Sequence, residues 1–147
     1  MALTEQDFAD DMHPIDIVEI LAAEYEWEFS RVGSDQITMA VDGQWKTYSI
    51  TLAWSGYDQT LRLICTFDLE PPEDRLPALF EMTNSVNDQC WVGSFSYWGE
   101  HNMMAFRYGL VTEGGIVGIE QINTLIATAV STAERYYPAF QLILWGN

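Results

Sequence analysis

Apolar positions recur along this chain with two periods, and the switches between them divide it into elements. Ile17, Ile20, Leu21 and Tyr25 recur at helical spacing behind Pro14, which suits a first turn, and Asp16, which complements a helix N-terminus, so a helix is expected over 14–25. Residues 4–7 carry a capping pattern for a short preceding turn, leaving residues 1–12 as an N-terminal arm. From Trp27 the period becomes two. Trp27 and Phe29 alternate, then Ile37, Met39 and Val41, then Tyr48, Ile50, Leu52 and Trp54, then Leu61, Leu63, Cys65, Phe67 and Leu69. Asp42-Gly43 reads as a type I′ hairpin turn.

A second helix is expected over 73–87, with Leu76, Leu79, Phe80, Thr83 and Val86 as its buried stripe. Strands over 91–98 and 103–111 follow, the second with Met104, Phe106, Tyr108 and Leu110 on one face. Gly114-Gly115 breaks the alternation, and a long helix over 118–137 closes the pattern, with Pro138 ending or kinking it. Helices interrupting an antiparallel meander predict a two-layer α+β domain spanning 1–147, with three helices on one face of the sheet. Strand alternation then sets Trp45, Ile64, Trp98, Met103 and Val111 on the opposite face, as a candidate protein-contact surface. The competing expectation is that residues 140–145 fold over that face.

Charge narrows the choice of partner. Six Lys and Arg against 22 Asp and Glu give a net charge of −16, which leaves no positive footprint for phosphate and argues against nucleic acid and anionic membranes. A partner recognised through charge is basic, or basic where it touches. The N-terminus has neither a basic nor an apolar signal region, and no apolar run approaches a membrane span, so a cytoplasmic location is expected. Cys65 and Cys90 stand in no metal or redox motif and are expected as free thiols.

The search for chemistry yields weak patterns. His13 and His101 have no nucleophile at a recognisable spacing. Gly114-Gly-Ile-Val-Gly118 enters a helix but lacks the lysine and hydroxyl of a phosphate loop. Glu5, Asp7, Asp10, Asp11 and Asp16 concentrate carboxylates without the spacing of a calcium loop. Asn84 and Asn87 read as residues that satisfy nearby backbone groups. No catalytic residue, cofactor or metal site is therefore expected. The rival reading is a small-ligand protein or enzyme with a pocket between helices and sheet, using His101 or the carboxylates.

The segments Met82-Thr-Asn-Ser-Val-Asn87, Trp91-Val-Gly-Ser-Phe95 and Glu134-Arg-Tyr-Tyr-Pro-Ala-Phe-Gln141, taken with the order of elements, resemble the YbjN-like family of proposed bacterial sensory transduction regulators. The resemblance covers nearly the whole chain from Asp11. It implies a fold similar to type III secretion chaperones, α-β-β-β-α-β-β-α, here with an additional strand over 27–32. Those chaperones are small, acidic and dimeric and bind extended client segments. The resemblance therefore implies a homodimeric, non-enzymatic, chaperone-like adaptor that binds a protein or peptide partner.

Overall fold

A computed structural model describes residues 12–145. Their elements are α1 (Pro14–Glu24), β1 (Glu28–Val32), β2 (Gln36–Asp42), β3 (Thr47–Ser55), β4 (Thr60–Asp68), α2 (Leu76–Gln89), β5 (Ser94–Trp98), β6 (Met103–Val111) and α3 (Ile119–Trp145). The six strands form one antiparallel sheet in the order β1-β2-β3-β4-β6-β5, with the helices on one face. This is the α+β architecture the alternation predicts, including the additional strand. The expected turn at 4–7, residues 1–11 of the arm and the carboxylates Glu5, Asp7, Asp10 and Asp11 lie outside the described residues.

The helix-side rows of the sheet are those read from the sequence. Ile37, Met39, Tyr48, Ile50, Leu52, Leu61, Leu63, Cys65, Met104 and Phe106 are all buried beneath the helices. An aromatic chain runs through this layer. Phe67 lies 5.9 Å from Tyr48, 5.3 Å from Tyr137 and 6.3 Å from Phe140, and Phe140 lies 5.2 Å from Phe95, which meets Phe106 at 5.1 Å. The centroid spacings suit edge-to-face packing, and the contacts join β3, β4, β5 and β6 to α3.

Both ends of α1 are fastened by named groups. His13 Nδ1 accepts the Ile15 N–H at 3.1 Å, so the proton sits on Nε2, which donates to Asp35 Oδ1 at 3.0 Å. At the other end Trp27 N–H donates to Ala22 and Glu26 N–H to Ala23, with Glu26 in the left-handed region at φ 59°. This Schellman closure turns the chain straight into β1. Arg31 then pins β1 to α1 through Asp16 at 2.7 Å, while its guanidinium also donates to the Gly33 and Ser34 carbonyls.

Several local expectations are corrected. In α1 the buried stripe is Ile15, Ile17, Val18, Leu21 and Ala22, one row over from the expected one, and Ile20 and Tyr25 face out. A 3-10 turn over Glu73–Arg75 precedes α2, whose inner face is Leu79 and Val86, while Phe80 is 55% exposed. The strand expected over 91–98 begins only at Ser94.

Gly43 is not in the left-handed region, and the turn between β2 and β3 spans four residues closed by Gly43 N–H to the Lys46 carbonyl, so it is not a type I′ turn. Helix α3 does not end at Pro138 but runs seven residues further, to Trp145. Proline at 138 removes the donor for the Glu134 carbonyl, a cost of about 3 kcal/mol in a helix interior. Burial of Phe140 and Ile143 beyond it, with Arg75 Nε donating to the Ile143 carbonyl at 2.9 Å, outweighs that cost.

Candidate functional site

Among the described residues no helix covers the other face of the sheet, and the composition of that face follows from strand register. One row across all six strands is Ser30, Thr38, Thr51, Ile64, Arg107 and Ser94, and the next is Glu28, Ala40, Ser49, Thr66, Ala105 and Ser96. Small hydroxyl and methyl side chains make up most of both rows. Residues 140–145 do not lie over it, because Phe140 and Ile143 are buried in the helix-side core.

Four of the five candidate contact residues fall on this face, but they do not form one patch. Ile64 is central, between Thr51 and Arg107. Trp98 and Met103 are cross-strand partners at one end. Val111 lies eight residues along β6 from Met103, about 27 Å away at strand rise. Trp45 is elsewhere. It sits in the β2–β3 turn, where its N–H donates to Glu134 of α3 at 3.2 Å, and no strand places it on the sheet face.

That turn exposes a polar clamp the sequence reading passed over. Glu134 Oε1 accepts from the Tyr48 hydroxyl at 2.6 Å and from Trp45 N–H, while Oε2 accepts from Gln44 N–H at 3.0 Å. Gly43 is required for closeness and not for its conformational freedom, since a Cβ there would overlap the Glu134 carboxylate and the Tyr48 ring. Burial, and then the hydrogen bond to Glu134, push the Tyr48 hydroxyl far above the ordinary tyrosine range. No Lys or Arg pairs with Glu134 among the described residues. The carboxylate lies in the quoted segment 134–141, but nothing in the linear pattern linked it to a turn ninety residues away.

A second clamp closes the sheet's β5 edge. Asn87 Nδ2 donates to the Phe95 carbonyl at 2.9 Å and Oδ1 accepts the Phe95 N–H at 2.7 Å, so one side-chain amide pairs with a strand residue as a further strand would. The expected role of Asn87 as a backbone partner is correct, though it serves a strand and not a loop. Asn87→Ala is expected to lose about 2 kcal/mol of stability, and Asn87→Asp more, because a carboxylate would face the Phe95 carbonyl. Urea unfolding measures both, and an unchanged hydrogen-exchange rate at the Phe95 amide in Asn87→Ala would contradict the clamp.

Beyond β5 the helix-side surface opens into a groove. A cavity of about 400 Å³ lies between α3 and the outer half of β6, lined by Val92, Tyr108, Leu110, Glu120, Thr124 and Leu125 among others. Neither histidine lines it. His13 caps α1, and His101 is exposed in the β5–β6 turn, at the opposite end of β6. Among the described residues no three His, Cys, Asp or Glu side chains group as a metal site. Both cysteines are free, and burial pushes the Cys65 thiol up to about 12 and raises the Cys90 thiol as well. Gly114 and Gly115, at φ 65° and 75°, are turn residues leading from β6 to α3. No helix of the described residues is long and apolar enough to cross a membrane.

The fold and these surfaces define a two-layer protein with a one-sided sheet, one edge plugged by a side chain and a groove beside the other half of that margin. The chain belongs to the YbjN family, described as "Putative bacterial sensory transduction regulator", whose profile matches residues 14–142. Among solved structures it is similar to "YbjN, a putative transcription regulator from E. coli", with a TM-score of 0.57 over 88% of each chain at 10% identity, a likeness of fold alone. No curated protein matches the sequence.

Proposed function

We propose that the protein is a non-enzymatic regulator, chaperone-like in its mode of action, that works in the cytoplasm by binding a protein partner and pairs with a second copy through the helix-free face of its sheet. The observation that carries this reading is the one-sided cover: six strands present Ile64, Trp98, Met103 and Val111 among small residues, with no helix of the described residues over them. Such a face suits a flat partner, and a two-fold axis would use each apolar contact twice. Family membership among proposed regulators supports the same direction.

Sedimentation velocity tests the self-pairing. Two copies at −16 repel, so the dimer fraction is expected to rise from low to high salt as the charge is screened. Ile64→Glu, a charge at the centre of the face, is expected to hold the protein monomeric at every ionic strength with its unfolding midpoint little changed. A wild-type protein that stays monomeric throughout would remove the homodimer from this reading.

A further inference from the structure

Strand β5 pairs with β6 only as far as Ser94 opposite Arg107, and the remaining β6 residues, 108–111, have no neighbour on that side among the described residues. Gly93 explains the stop. It takes φ 78° and lies so close to Phe106 and the Arg107 carbonyl that a Cβ would reach within 2.7 Å of that oxygen, so the chain leaves β6 here. The ladder fixes which groups are left open. Phe95 gives both main-chain groups to Asn87, so its pair with Phe106 is the non-hydrogen-bonded kind, and even-numbered β6 residues face β4. Thr112 N–H, donating to the Gln59 carbonyl at 2.9 Å, continues that parity. Gly109 and Val111 therefore turn their N–H and C=O groups toward the vacant strand position, and Val111 is 76% exposed.

Directly beside this vacancy, on the helix side, lies the 400 Å³ cavity. A strand added at the vacancy would put the side chains opposite Tyr108 and Leu110 into it. Its walls there are Val92, Leu110 and Leu125, with the ring of Tyr108, and its rim carries Glu120 and Thr124. No basic residue lines it, and the chain around it carries −16. Trp91, 96% exposed, adjoins Val92 at the margin.

We propose that this vacancy is a docking site for an extended, lysine- or arginine-bearing segment of a partner protein, which adds as a short antiparallel strand to Gly109 and Val111 and places an apolar side chain in the cavity with a cation at Glu120. The inference rests on the protein-binding reading and supplies the chemistry of the partner. Main-chain pairing provides the general attraction, and the cavity with its carboxylate provides the selection. An open edge without the cavity would accept any strand; a cavity without the edge would suit a compact ligand.

The test is an amide NMR titration of the full chain with an eight-residue valine–lysine peptide, in which threonine takes every second position and valine and lysine take turns at the positions between, so that both can face the helix side. The largest shifts are expected at Gly109, Leu110 and Val111, with binding that weakens in salt. Glu120→Lys and, separately, the exposed Thr124→Trp, which fills the cavity, are each expected to weaken binding about tenfold without unfolding the protein. Equal binding by a valine–glutamate peptide, or by a valine–lysine peptide with a central proline, would overturn the proposal. So would equal binding by lysine amide alone, which would make the cavity a small-cation site. Shifts at Ser49, Thr51 and Thr66 in place of Gly109 and Val111 would overturn the groove while leaving protein binding through the open face intact. The absence of shifts anywhere, with the probe in large excess, would overturn the groove alone, because salt-dependent self-pairing is read separately by sedimentation.

Discussion

Replacing Glu134 with alanine is expected to destabilise the protein by about 2–4 kcal/mol. Hydrogen bonds to a charged group are worth about 1.5–3 kcal/mol each, and three donors converge on this carboxylate. Two of them, the Gln44 and Trp45 amides, are exposed enough to regain water, which holds the total below the sum. The Tyr48 hydroxyl belongs to a fully buried side chain and recovers less. Glu134→Gln is expected to cost about half as much, since one oxygen remains but the amide nitrogen meets a donor. Gly43→Ala reaches the same contact from the other side by displacing the carboxylate. Urea unfolding of Glu134→Ala, Tyr48→Phe and the double variant gives the coupling, expected at about 1–2 kcal/mol. Additive losses would mean that Tyr48 and Glu134 do not act together, and a loss in Glu134→Ala below about 0.5 kcal/mol, the range of ordinary surface changes, would remove the clamp altogether.

The largest loss is expected on the far side of Pro138. Phe140 is fully buried and meets Phe67 and Phe95, so Phe140→Ala is expected to cost about 3–5 kcal/mol. Leu142, two residues on and exposed, is the control, and Leu142→Ala is expected to stay within about 0.5 kcal/mol of the wild type. The contrast decides whether the helix beyond the proline belongs to the cooperative core. Equal, small effects in the two variants would detach residues 138–145 from that core.

These two sites mark where the linear pattern succeeds and where it fails. Alternation located the interior strands and assigned every helix-side row from Ile37 to Leu110, because a half-buried antiparallel strand must alternate. It also placed Ile64, Trp98, Met103 and Val111 on the uncovered face. It could not say that they are spread along the sheet, since that depends on how strands are ordered and not on their parity. Trp45 was misplaced because a four-residue turn carries no alternation to read. Pro138 was overweighted because the local cost of a helical proline is visible in sequence, while the burial of Phe140 and the Arg75 cap on Ile143 are not. Glu134 and the β6 vacancy are both long-range facts. One depends on an acid meeting a turn from another layer, the other on a strand that stops early.

The amide of Asn87 carries a consequence for the colloidal fate of the protein. A foreign strand seeking to lengthen the sheet at β5 must first evict that amide from Phe95, and Asn87 sits in the last turn of α2. Strand addition across Phe95 is therefore tied to fraying of a helix end. A foreign strand pairing there is expected to wait on that intramolecular opening, a step that a higher protein concentration does not speed.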